Sequence, residues 1–169
     1  TPLYADNIKY LNLISLEQLG GTITAYTYPD EFGQCDGTAE PTPGVAVGQQ
    51  TRQTFGLSYR TRLGNDEDGD GYGYKLHLLY GAIASPSERA YATVNDSPAA
   101  IEFSWTFNTT PVSVTGLRPT SLITIDSTTV SADQLSALED LLYGTVGTDP
   151  GLPLPDAVVA LFEGTATAT

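Results

Sequence analysis

The clearest period-two signal lies at Ile101–Phe107, where Ile101, Phe103, Trp105 and Phe107 alternate with Glu102, Ser104 and Thr106. Alternation places the large apolar side chains on one sheet face and the polar ones on the other. Burying those four side chains is worth roughly 6–12 kcal/mol of gross transfer free energy, so this strand needs a second layer to pack on. A second alternation covers Thr54–Leu63, with Phe55, Leu57, Tyr59 and Leu63 on one face and Thr54, Ser58, Arg60 and Arg62 on the other. It is followed by the acidic, glycine-rich Gly64–Gly73 and then by Tyr74–Tyr80, the pattern of a hairpin with a long acidic tip. Thr22–Tyr28 predicts a strand stopped by Pro29-Asp30, and Ser121–Asp126 predicts another with Ile123 and Ile125 on one face.

Between these strands the pattern breaks. Thr1–Leu19 reads as extended chain followed by a turn near Ser15–Gln18. Asp30–Gln50, with Pro41, Pro43 and Gly44, reads as a long loop, and Gly81–Pro98 as irregular. Helical spacing appears only near the end. Ser131 with Gln134 forms the signature of a capping box, Leu135, Leu138, Leu141 and Leu142 form a stripe, and Gly144 supplies the stop. Asp156–Phe162 predicts a second short helix capped by Asp156 and ended by Gly164. The expectation is a mainly β fold, a β-sandwich or barrel with a flanking α-helix and a short C-terminal helix, in one domain over 1–164. The Thr-Ala run 165–169 reads as a tail or linker.

Composition narrows the function. The net charge of -13 is wrong for a DNA-gripping or anionic-membrane surface, which needs clustered Lys and Arg. One cysteine, Cys35, rules out an internal disulfide. No apolar run is long enough for a membrane-spanning helix, and the first residues are not a signal peptide. The absence of Met suggests a piece of a longer chain.

The sharpest chemical pattern is Asp66-Glu-Asp68-Gly-Asp70-Gly71, the first half of an EF-hand loop. The second half departs from it, with His77 at the twelfth position and strands on both flanks. Asp66, Asp68 and Asp70 are candidates for weak cation binding; a solvated hairpin tip or an inter-subunit contact is the other reading. His77, the only histidine, has no motif of a nucleophile or zinc partner around it and reads as a sheet-surface residue. Cys35 has no nearby cation in sequence to activate it. A glycosidase-like carboxylate pair lacks sugar-stacking Trp, since Trp105 reads as core. The Gly-rich run at 69–73 lacks a phosphate-loop Lys, and Asn95 and Asn108 stand in glycosylation patterns that matter only in a secretory setting. The 10 tyrosines, among them Tyr4, Tyr10, Tyr26, Tyr28, Tyr72 and Tyr91, fit either protein interfaces or β propensity.

Several segments resemble the major tail tube protein of long, non-contractile-tailed bacteriophages. They are Pro2–Leu11, Ala25–Phe32, Gln50–Gly64, Tyr74–Gly81, Tyr91–Thr110, Thr120–Asp126 and Leu152–Asp156, in the family's order across nearly the whole chain. The resemblance implies a structural virion protein without enzymatic activity or cofactors. It implies hexameric rings, an inner β-barrel closed by strands from each copy, and rings stacked into a tube through which DNA is ejected. The implied partners are further copies, other tail proteins at the tube ends and DNA in passage, without membrane insertion. The implied location is the virion tail, assembled in the bacterial host cytoplasm. An acidic wall repels DNA within about a Debye length, ~8 Å at physiological salt, which suits an acidic-lined conduit. Asp66, Glu67, Asp68, Asp70 and Tyr72 of the tip, with the 30–50 segment, are the candidate contacts between stacked rings. The alternatives are a monomeric calcium-stabilised β-sandwich module binding carbohydrate or protein, and a hydrolase with paired carboxylates.

Overall fold

The computed structural model describes residues 2–5, 8–12, 18–66, 69–86 and 102–163, with the backbone alone described at 2–5, 8–12, 65, 70 and 86. The fold is mainly β and antiparallel, consistent with a β-sandwich, with helices packed against the sheet. Its trunk is β7 (Gly69–Pro86), 18 residues long. β6 (Phe55–Asn65) pairs along one side of it. On the other side β9 (Leu122–Asp126) pairs with Lys75–Leu79 and β8 (Phe103–Thr109) with Ala82–Pro86. β3 (Gly20–Ala25) lies outside β8. A separate antiparallel pair, β1 (Pro2–Ala5) and β2 (Ile8–Asn12), precedes them.

Gly81 divides the trunk. Its φ of +62° lies in the left-handed region, and the β6 register jumps from Phe55↔Ala82 to Leu57↔Leu79, so β7 carries one extra residue there. Such a bulge bends a strand and reverses its side-chain parity. Before the bulge, Leu76, Leu78 and Tyr80 point to one face and join Ile125 in a core under the helices. After it, Ala82 joins Leu79 and Phe107 on the opposite face, with Leu19, Ile23, Phe55, Leu57 and Leu122 around them. One bent sheet thus buries opposite faces at its two ends, and the strand expected to stop at Tyr80 continues to Pro86 because the bulge gives its second half a new partner.

The first core is closed by α2 (Ala132–Tyr143) and α3 (Pro155–Glu163). Ser131 caps α2, its Oγ accepting from Gln134 N at 3.3 Å and donating to Gln134 Oε1 at 2.7 Å. Gln134 Nε2 also donates to the Leu161 and Phe162 carbonyls, joining the start of α2 to the end of α3. Leu135, Leu138 and Leu142 are buried, whereas Leu141 is 45% exposed. Helical geometry rotates it about 100° from Leu142, out of the stripe. Asp156 is not the cap of α3. The helix starts one residue earlier at Pro155, where the missing N–H costs nothing. The Asp156 carboxylate accepts instead from Thr115 N and Oγ1, at 2.8 and 3.0 Å.

The Asp30–Gln50 segment is ordered structure, not a loop. A 3-10 turn (Asp30–Phe32) runs into the short α1 (Gly33–Asp36), and β4 (Ala39–Thr42) pairs with β5 (Val45–Val47). Gly37, at φ +81°, ends α1, and Gly44, at φ +82°, follows Pro43 in the tight turn between β4 and β5. The predicted strand at Thr22–Tyr28 stops at Ala25 because Tyr28 leaves the ladder and packs its ring edge-on against Trp105, centroids 5.2 Å apart. The sequence expectations at 13–17, at 87–98, which includes Tyr91 and Asn95, and at Ile101, Gly164 and 165–169 fall outside the described residues.

Candidate assembly interface

The acidic tip is shorter than the sequence pattern suggests. The β6–β7 ladder closes at Asn65↔Gly69, so Gly64 and Asp70–Gly73 belong to strands. Strand pairing draws the carboxylate-rich run into a hairpin before a twelve-residue cation loop can form. Asp66 is exposed at the turn and Tyr72 is 49% exposed on β7. Asp70 lies on the β7 backbone, and Glu67 and Asp68 fall outside the described residues. Among the described residues no group of three or more His, Cys, Asp or Glu is placed to hold a metal ion.

His77 is on the sheet surface, opposite Tyr59 on β6 and Thr124 on β9. Its ring stacks on Tyr59 at 4.6 Å, with Nε2 2.9 Å from Thr61 Oγ1 and Nδ1 3.1 Å from Thr124 Oγ1. Both ring nitrogens therefore meet hydroxyls, an arrangement that fixes the ring between strands and does not orient it as a triad base. Cys35 is partly buried on α1, and that burial pushes its thiol pKa up, against thiolate formation.

The β4–β5 hairpin is an arm. Every residue from 39 to 54 is exposed, including Val45 and Val47 at 53% and 42%. A two-stranded hairpin has little stability alone, so its base is what holds it. That base is α1, where buried Asp36 accepts from Trp105 Nε1 at 2.8 Å. Phe32 packs edge-on against both Trp105 and Phe55 beside it. The cleft between arm and body, about 540 Å³, mixes polar groups such as Asp30, Gln34, Glu40 and Gln53 with Tyr28 and Ala46.

The sheet edges are the second feature. The path β3-β8-β7-β6 ends in β3 and β6, and among the described residues neither has a strand on its outer side. Each step along the path is antiparallel, so β3 and β6 run in opposite senses. On one face of the β3–β8–β7 end, Thr22, Thr24, Ser85, Thr106 and Asn108 are exposed around Ile83, with no Lys or Arg among them and exposed Glu102 just before β8.

Charge is segregated elsewhere. Arg60 and Arg62 are exposed on one face of edge strand β6 and border a small cleft of about 190 Å³ with Gly71, Gly73 and Tyr74. The Arg60 guanidinium lies over the Tyr74 ring, 4.9 Å from its centroid. The Tyr74 hydroxyl donates to Glu139 of α2, and that hydrogen bond is the main reason its pKa is raised. Among the described residues no carboxylate lies within ion-pairing distance of Arg60 or Arg62; the pair that forms is Lys75–Asp126, at 3.7 Å. From Pro119 onward the chain has no Lys or Arg. Asp133 and Asp140 are exposed two turns apart on the outer face of α2, near exposed Leu141 and Tyr143.

No protein-family model, curated protein or solved structure matches this chain. The polar alternation of Arg60 and Arg62 is readable in the sequence. That their strand is an edge, and that Tyr74 and two glycines complete a cleft with them, depends on strand order.

Proposed function

We propose that this chain is a structural subunit without enzymatic activity, which self-associates into closed rings that stack as a tube. This is the role implied by its resemblance to major tail tube proteins of long, non-contractile-tailed phages, with DNA in transit through the bore. The observation that carries the reading is the four-strand path with two open, mutually antiparallel edges. Rotating a copy about a ring axis preserves the sense of each strand. β3 of the next copy then meets β6 antiparallel, and the sheet continues from copy to copy until it closes. Closure removes the edges, which otherwise invite open-ended pairing.

Two further features support it. The hydroxyl-rich face around Thr22, Thr24 and Thr106, bordered by exposed Glu102, gives phosphates no cation to hold, and the net charge of -13 opposes DNA retention. The exposed arm at 39–47 has apolar Val45 and Val47 available for burial against a neighbour.

The test is negative-stain microscopy with sedimentation velocity on the purified chain across a concentration series. Rings or tubes are expected. A species that stays monomeric to millimolar concentration refutes the proposal, and a melting temperature raised by calcium in that monomer would favour the binding-module alternative.

A further inference from the structure

We propose that the Arg60–Arg62 cleft is a carboxylate-binding site whose ligand is the acidic outer face of α2, Asp133 and Asp140, on a second copy of this chain. The inference rests on the self-association reading above and names a contact within it. It starts from the cost of the cleft. Two guanidiniums on one face of a strand, two residues apart, are held about 7 Å from each other by strand geometry. Their repulsion is relieved by an anion placed between them, and the planar donor fork of Arg matches a carboxylate in particular.

The chain's own described residues do not supply that anion. The Arg60 guanidinium rests over the Tyr74 ring and the backbone at Gly71 and Gly73 lines the cleft beside it, so the site is preformed. Arg and Tyr are also the residue types that dominate contact energies between proteins, and Tyr72 stands exposed between the two glycines in sequence.

The complementary surface is on α2. Asp133 and Asp140 project from a capped helix, on the face opposite its buried leucines, and among the described residues neither forms an ion pair in its own fold. No Lys or Arg follows Arg118 to dilute the acidic region. Leu141, Tyr143 and Val146, exposed at 45%, 57% and 107%, give the same end of the helix apolar area to bury. Three further carboxylates are already engaged within the fold: Asp126 by Lys75 and Thr128, Asp156 by Thr115, and Glu139 by Tyr74. Cleft and ridge are different surfaces, so a contact between them is head-to-tail. Each copy then keeps one unused surface for the next, as ring or stack growth requires.

Two charge-reversed variants test this: Arg60→Glu with Arg62→Glu, and Asp133→Lys with Asp140→Lys. All four positions are exposed, and circular dichroism melts verify that each variant folds. Alone, each variant faces like charge across the contact and needs about tenfold or more higher concentration to assemble than wild type. Mixed in equal amounts, both kinds of contact become attractive, and assembly returns near the wild-type concentration. Wild type that never associates sinks the function reading, and this contact with it. Wild type that assembles while either variant assembles equally well, or a mixture that does not recover, overturns this contact alone.

Discussion

Replacing Gly81 with Ala tests the device that lets one sheet bury opposite faces. At φ +62° an L side chain is strained, at a cost of about 1–2 kcal/mol. The added Cβ also falls 2.2 Å from the Thr110 carbonyl oxygen, a backbone atom that cannot rotate away. Relief requires β7 and the Thr110 segment to separate, which threatens the 2.9 Å hydrogen bond from Thr110 N to Gly81 O, worth about 1 kcal/mol net. The sum is about 2–3 kcal/mol. Gly116 is the control: its φ is +75°, and an added Cβ meets nothing within 4 Å. Gly116→Ala should therefore cost only the backbone term, about 1–2 kcal/mol. Urea unfolding of each variant, followed by Trp105 fluorescence, measures both under conditions that keep the chain monomeric. A Gly81→Ala loss no larger than that of Gly116→Ala would refute the close-approach argument. If the bulge is lost as well, Ala82 and Ala84 turn away from Phe107, and assembly should fail at concentrations where the monomer is still folded.

Asp36→Ala leaves the buried Trp105 indole N–H without its carboxylate, an expected loss of about 1–3 kcal/mol with a shifted Trp emission maximum; an unchanged midpoint and spectrum would contradict the link between arm base and core. Leu138→Ala, at a fully buried position between α2 and the sheet, should cost about 2–5 kcal/mol in the same urea assay, and a loss under 1 kcal/mol would mean the helix layer is not packed as described. Thr128, through its hydroxyl and its backbone N–H, holds the Asp126 carboxyl below its ordinary 3.8, so the folded state binds that proton less readily than the unfolded chain. Its contribution is complete above 3.8 and is lost as pH falls through the lowered value, so Asp126→Asn should flatten the acid limb of a stability–pH curve. Burial pushes Tyr80 up to about 12 from an ordinary 10, which favours its neutral form in the fold. Stability from this residue therefore holds below pH 10 and falls as pH rises toward 12; Tyr80→Phe should remove that alkaline dependence, and an unaltered curve would count against it.

The sequence alone determined what local chemistry determines. Alternation at Phe103–Phe107 and Phe55–Leu63 defined strands, because period two depends only on the backbone pleat. Ser131 and Gln134 marked the start of α2 because capping involves neighbours in sequence. Pro41, Pro43 and Gly44 read as a long loop in the sequence, and only the β4–β5 pairing makes Pro43-Gly44 the turn of an arm. What only the tertiary structure decided concerns pairing between distant segments. Nothing local shows that β7 exchanges β9 for β8 at Gly81, that the ladder takes back Asp70–Gly73 from the acidic tip, or that Asp156 serves Thr115 in place of its own helix. Edge status has the same origin. A strand is an edge only relative to the others, so the open sides of β3 and β6, and the cleft that Tyr74 completes beside Arg60 and Arg62, emerge only once the sheet is ordered.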